Sequence, residues 1–435
     1  MNFQHNSRRR PLVWAVGFAV ASVLLGAWHS AYAADFVIRN LDAGRGEGLS
    51  DARRATPIDD NPGTTLGEQR RIALRYAVQI VTSRVESAVP IRIDASVDPN
   101  NPELACRRNG ATLGVGGATN FTQGFPGAPR DDVVYPLALA NALAGRRVAD
   151  TADLRLFMNG KLDVPANDCL RGARWYYGLR GTPGPNQIDF VASVVHELIH
   201  GMGFQSIIVL REQDDTPVGG YPAFSDGRRL PSVFGRYIQD LGATGQPRLS
   251  AQSRSQRAEA VNDAPFIVWS SAMTNAATSN FVTQGRQEGR LRIYAPEVIQ
   301  PASTLSHWSP AVEPDQIMEP FQSVEASVLD GIGLASCVLS DIGWPLSAGV
   351  RCPDTQSATI AGPADGDFVT AYATTSVQRR ANDGAAPSDT PDDDDDSGGG
   401  GGCTLAPGQP FDPIWWVMCV MALGVLIHRR RSRLG

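Results

Sequence analysis

The segment His196-Glu197-Leu198-Ile199-His200 constrains this chain more than any other feature, because H-E-x-x-H acquires a joint chemical role only when it is helical. The flanking sequence predicts that helix. Thr182-Pro183-Gly184-Pro185 excludes helix before it, and Asn186 can cap the first turn with Asp189 three residues on. Ile188, Val191, Val195, Leu198 and Met202 follow at spacings of three and four as an apolar stripe, and Gly201 and Gly203 end the run. Residues four apart share a helix face, so both imidazoles can reach one metal ion, while Glu197 lies one residue round.

That arrangement starts a zinc site without completing it. Catalytic zinc takes three protein ligands and keeps its fourth position for water, whose pKa it lowers to about 7. Glu197 is spaced to take a proton from that water and deliver it to a leaving amine. The third ligand is read from the histidine census. Of six histidines, His5 and His29 fall in the first 33 residues and His428 beside the last arginines, so the stretch between holds only His196, His200 and His307. His307 is therefore the expected third ligand. Competing donors are the carboxylates Glu313 and Glu325, and the competing role for His307 is a hydrogen-bonded core residue.

The rest of the chain divides by composition. Residues 1–33 read as a removed signal peptide: Arg8, Arg9 and Arg10, an apolar run from Leu12 to Leu25, then Ala31-Tyr32-Ala33 as a small-x-small cleavage site. The alternative is an anchor, against which the shortness of the run counts. Residues 34–353 form the expected folded region, of α+β class. Leu66 to Val85 is predicted as an amphipathic helix backing a sheet, with Ile72, Tyr76, Ile80 and Val85 near helical spacing and arginines between them. Val89 to Asp94 and Asp153 to Asn159 alternate as strands do, and the glycine-rich run from Gly110 to Gly127 reads only as strand and loop. The expected catalytic subdomains are 34–205, carrying the helix, and 206–353, mostly irregular and helical, carrying the third ligand.

From 354 to 402 the composition turns to Ala, Thr, Ser, Asp and Gly, ending in five aspartates and five glycines. This predicts a solvated spacer, and nothing spaces those carboxylates around a calcium ion. Residues 403–435 follow as a separate segment: Cys403, an apolar stretch from Ile414 to Ile427, then Arg429, Arg430, Arg431 and Arg433. The net charge of −6 includes those four arginines and the three of the leader, so the intervening chain is more acidic still. Nucleic acid is excluded as a partner on that ground. Export to an oxidising compartment makes disulfides plausible, and Cys106 with Cys169 and Cys337 with Cys352 is the most economical of the three pairings of those four.

His196 to Phe204, as H-E-L-I-H-G-M-G-F, resembles the zinc helix of leishmanolysin-like metzincins. In most metzincins the third histidine stands three residues after the glycine; here that position is Ser206. Leishmanolysin-like enzymes carry it after a long insertion, in a Ser-His-Trp segment followed by a methionine turn. Ser306-His307-Trp308, then Met318 in Gln316-Ile317-Met318-Glu319-Pro320, and Asp341-Ile342-Gly343-Trp344 match that order. The resemblance spans Phe36 to Pro345. It implies a zinc endopeptidase acting on protein or peptide substrates, with His196, His200 and His307 as ligands, Glu197 as general base, Met318 as a hydrophobic floor and Gly203 as the turn into the second subdomain. Asp153 to Asn159 is the candidate edge strand for an extended substrate. The tyrosine that some metzincins place just after the methionine turn is missing, and no cysteine-switch segment is recognisable.

The C-terminal order of glycine-rich linker, Cys403, Phe411-Asp412-Pro413, short apolar span and arginines resembles the tripartite sorting signals called JDVT-CTERM or GlyGly-CTERM. That likeness implies export, processing by a sorting protease, and attachment at the cell surface through the Cys403 region; the alternative is a plain membrane anchor. Two other functions compete with the endopeptidase, a surface adhesin with a structural zinc and a zinc amidase or carboxypeptidase. Glu197 separates the first from an enzyme, since a structural site needs no base.

Overall fold

A computed structural model describes residues 1, 33–165, 168–210, 219–224, 226–322, 331–357, 368–372 and 401–405. The expected leader (2–32), Glu325 and the apolar segment 414–427 with its arginines lie outside the described residues. No helix among the described residues is long and apolar enough to cross a membrane.

The chain enters its main sheet with β1 (Phe36–Asn40) and then forms α1 (Leu66–Thr82). A capping box starts that helix: the Thr65 hydroxyl accepts from the Glu68 N–H at 3.2 Å, and the Glu68 carboxylate accepts from the Thr65 N–H at 3.1 Å. Strand β2 (Ile91–Asp98) begins two residues later than the alternation suggested and is buried on both faces. Its polar positions are paired, Arg92 with the exposed Asp150 at 2.6 Å and Ser96 with the buried Asp42 at 2.6 Å. The glycine-rich run resolves into the hairpin of β3 (Cys106–Arg107) and β4 (Gly110–Ala118). After the small ladder of β5 (Phe121–Thr122) and β6 (Tyr135–Pro136), α2 (Leu137–Ala144) leads to β7 (Leu154–Asn159). An arginine expected between the apolar positions of α1, Arg70, proves to be buried. It donates to Asp163 at 2.8 Å and to the Tyr177 hydroxyl at 2.9 Å, the partners a buried cation needs, and so ties α1 to the segment beyond β7.

Strands β1, β2 and β7 are parallel, β4 runs antiparallel to β7, and β14 (Gly401–Leu405) closes the order β1-β2-β7-β4-β14. The mixed sheet with its packed helices makes the fold α+β. β7 is therefore interior, and its assignment as the substrate-pairing edge strand is corrected: β2 and β4 take both of its edges, and β4 stands beyond it.

The start of the helix that carries His196 and His200 also differs from expectation. β8 (Arg174–Tyr176) pairs in parallel with β9 (Gln187–Asp189), which holds residues 187–189 extended, so α3 (Phe190–Gly201) begins three residues late. Asn186 sits at φ 58° before that strand, and Asp189 is itself the cap, accepting from the Ala192 N–H at 3.0 Å. α3 packs against α1 and lies across β4 and β7.

Among the described residues between α3 and β14 the elements are short: β10 (Ile238–Asp240), α4 (Arg254–Ala260), β11 (Ile267–Trp269), α5 (Ala272–Thr278), β12 (Arg286–Gln287), β13 (Arg290–Leu291) and α6 (Ala335–Ile342). From Ala31 onward the chain is one compact unit. Cys106 pairs with Cys169 and Cys337 with Cys352, with Cα separations of 5.3 and 4.7 Å. The region expected as a detached spacer returns to the domain at several points. Asp354 is buried and accepts from Arg84 at 2.9 Å, Tyr372 donates to Asp94 at 2.7 Å, and β14, which includes Cys403, joins the sheet.

Burial lifts the Asp189 carboxyl to about 6. The folded chain thus keeps a proton that an unfolded carboxyl releases near pH 4, and this group's stabilisation is lost as pH rises through about 6. Asp189→Asn keeps a capping acceptor and never ionises. The difference in unfolding free energy between variant and native chain, from urea midpoints, should move in the variant's favour between about pH 4 and 7. A difference that stays flat with pH refutes the shift.

Candidate metal centre

The site begins with the single turn of α3 that separates His196 from His200, which turns both imidazoles to one side. His307 arrives from the segment after β13. His196 Nε2 lies 3.0 Å from His200 Nε2 and 3.1 Å from His307 Nε2, and the last two atoms are 3.1 Å apart. All three rings are buried, at 2%, 0% and 0% exposure.

The opposite ring nitrogens decide what those distances mean. His196 Nδ1 lies 2.6 Å from the Ile317 carbonyl, His200 Nδ1 2.7 Å from that of Phe204, and His307 Nδ1 2.8 Å from that of Ser303. A carbonyl only accepts, so each Nδ1 carries the proton and each neutral ring turns an Nε2 lone pair inward. Protonating the inner nitrogens is opposed by burial, which pulls all three histidines below their ordinary 6.5, His200 to about 4; for His196 and His307 mutual charge repulsion adds to it. Three buried lone pairs meeting at 3.0–3.1 Å repel one another unless a cation lies between them. Nitrogens each about 2.0–2.1 Å from one zinc ion are roughly 3.3 Å apart in a tetrahedral set. The donor set therefore fits a zinc-like ion, and among the described residues these three histidines form the group able to hold one.

Local chain geometry explains why these carbonyls are in position. Gly203 takes φ 121°, a value that favours glycine, and a Cβ there would stand 2.8 Å from Ile342 Cδ1. Its turn sends the Phe204 N–H to the Ile199 carbonyl at 3.2 Å and aims the Phe204 carbonyl at His200. The Trp308 N–H donates to the Met318 carbonyl at 2.8 Å, coupling the residue after His307 to the methionine turn, whose Ile317 carbonyl orients His196. Met318 is fully buried. Trp308 packs edge-on against Phe204 and Trp269 as structural support. Ser206, where most metzincins have a ligand, donates its N–H to Ser306 Oγ at 3.2 Å and so braces the neighbour of His307. Asp341 gathers Trp269 Nε1 at 2.9 Å and the Ser271 and Thr274 hydroxyls at 2.5 Å, and Trp344 Nε1 donates to the Met202 carbonyl at 2.8 Å, so the Asp341-to-Trp344 segment locks the far end of α3. Glu313 is exposed and stands outside the cluster.

Glu197 is 1% exposed and lies against β4. A Cβ on Gly114 would sit 2.9 Å from Glu197 Cγ, and one on Gly116 would sit 2.5 Å from Glu197 Cβ. These glycines let strand and helix approach closely enough for Glu197 to border the strand. Sequence reasoning missed them; the available signal was their spacing of two, which puts both on one strand face.

Removing one imidazole should cost more than the 10–100-fold that loss of an outer partner costs, so His307→Ala should weaken zinc binding by at least on the order of 100-fold in a chelator competition assay. Glu313→Ala should leave it unchanged; the reverse pattern overturns the ligand assignment. Gly116→Ala forces a methyl into Glu197 and should destabilise the fold by about 1–3 kcal/mol, read from urea unfolding, whereas a neutral effect would mean that β4 and α3 are not in close contact.

The chain matches no protein-family model, no curated protein and no solved structure, so its functional reading rests on this geometry.

Proposed function

We propose that this chain is a zinc-dependent endopeptidase of the leishmanolysin-like metzincin kind, acting on proteins or peptides outside the cell. One observation carries the reading: three buried, tautomer-locked imidazoles converge next to a buried glutamate borne by the same helix turn. The pairing of cysteines within the domain supports an oxidising location.

Bound zinc would supply Lewis acidity toward the scissile carbonyl and toward a water molecule. His196, His200 and His307 would hold it through Nε2, each ring kept from rotating by its Nδ1–H bond to a carbonyl. Glu197 would accept the proton of the attacking water and return it to the departing amine nitrogen. Its burial against β4 removes competing solvent and fixes the carboxylate relative to a strand that a peptide can border. A structural zinc site gives no reason for an acidic residue between its two helical ligands, which is why the enzyme is preferred over the adhesin.

Glu197→Gln keeps the shape of the site and cannot take the proton. Metal-loaded variant and native chain should bind zinc alike, while hydrolysis of a quenched-fluorescence peptide library by the variant should fall on the order of 10³-fold or more. Equal turnover in both would sink the general-base role, and a zinc-loaded native chain that cuts nothing would sink the endopeptidase.

A further inference from the structure

Strand β4 has two edges with different occupants. One is filled by its sequence neighbours in the domain: Gly114–Ala118 pair with residues of β7, and Gly110 and Ala111 with β3. The other is filled by β14 alone, a segment almost three hundred residues further along the chain. The pairing is antiparallel. Gly401 faces Gly116, Gly402 faces Val115 and Cys403 faces Gly114; the register then shifts past Leu113, and Thr404 and Leu405 face Thr112 and Ala111. The residues of β4 met by Gly401 and Cys403 are the same glycines that press on Glu197. β14 also contacts α3. The backbone of Gly401–Cys403 is thus one strand spacing, about 4.8 Å, from the stretch of β4 that borders the proposed base.

Without β14 this edge would present a row of unpaired N–H and C=O groups, the template on which an extended peptide adds a strand. Recognition of that kind runs through the main chain and accepts many sequences, so a tail segment and an unrelated peptide can use it equally. Tyr372 is packed on the same domain by its bond to Asp94, so the tether to Gly401 is under thirty residues. A tether of this length gives an effective concentration on the order of millimolar. A five-residue strand needs only modest intrinsic affinity to be mostly bound under that condition, and it stays displaceable.

We infer that Gly401–Leu405 is an intramolecular occupant of the peptide-docking edge of β4, so that the chain's own segment competes with peptides for the strand edge beside the candidate metal centre. The peptidase reading enters only in naming that edge as the place of cleavage; the docking itself is a statement about β4 and extended peptides. Release of the segment opens the edge.

The test uses the chain carrying all of residues 34–435 and zinc, with Glu197→Gln so that no probe is cut, and compares it with the same protein bearing Gly402→Pro, Cys403→Pro and Thr404→Pro. Successive N–H groups of a strand point to alternate edges, so three consecutive prolines remove an N–H that faces β4 even though β14 is an edge strand. Hydrogen exchange of residues 110–118 should be slow in the first protein and at least tenfold faster in the second. A fluorescein-labelled, end-blocked decapeptide mixture should bind the proline variant about tenfold more tightly by anisotropy, as expected when a tethered competitor occupies about nine-tenths of the sites. Blocked Gly-Gly-Cys-Thr-Leu added in trans should displace it. Unchanged exchange overturns the docking. Faster exchange with unchanged probe affinity makes β14 a purely structural strand and overturns the competition. Peptide hydrolysis by the proline variant with Glu197 restored is a separate readout: its absence, with tighter probe binding intact, would remove the peptidase reading and leave this inference standing.

Discussion

Everything around the candidate metal centre follows from an arrangement that is unfavourable by itself: three nitrogen lone pairs held at 3.0–3.1 Å from one another by buried imidazoles. Three carbonyls from three separate segments hold it in place, Ile317 on the methionine turn, Phe204 after the zinc helix and Ser303 before the third histidine. Each of them needs its own local support. The left-handed turn at Gly203 swings Phe204 back, and the bond from Trp308 to Met318 ties the His307 segment to the turn that orients His196. The repulsion is therefore preorganised by the fold, and a cation held there would relieve it and couple the folded state to metal binding.

The main sheet gives this centre its second property, a strand beside the glutamate. The antiparallel β4 sits between the parallel strands and β14, and its glycines allow a backbone approach to α3 that a side chain there would prevent. A side chain at either glycine would push strand and helix apart and loosen the placement of Glu197 against β4. The same closeness explains why a segment added to the outer edge of β4 is a neighbour of the metal centre and of Glu197 at once.

The half of the chain beyond α3 has little regular structure, yet it has to deliver His307 with a precision of a few tenths of an ångström. It does so through polar anchors placed in an apolar core. Asp341 collects three donors from β11 and α5 and accepts from the Tyr237 hydroxyl through its carbonyl, while the disulfide of Cys337 and Cys352 and the buried pair of Arg84 with Asp354 close the region behind α6. Anchors of this kind substitute for the repeated ladders that position the ligands of α3.

Much of the site was legible in the chain itself, because local rules govern it. Helical spacing places His196, Glu197 and His200, the scarcity of histidine singles out His307, and the closeness of Cys337 and Cys352 favours that pair, with Cys106 and Cys169 left to each other as the most economical pairing. Strand positions near Ile91 and Leu154 and the α+β class also follow from local patterning. What failed depended on partners distant in sequence. The helix starts at Phe190 because β8 claims residues 187–189, Arg70 lies inside because Asp163 and Tyr177 receive it, and β7 is interior because β4 pairs beyond it. Spacing along a chain determines which residues can share a face; which carbonyl meets which imidazole, which strand holds the edge and where Gly401–Leu405 comes to rest are decided by tertiary structure, since each is a hydrogen bond between segments that sequence periodicity does not relate.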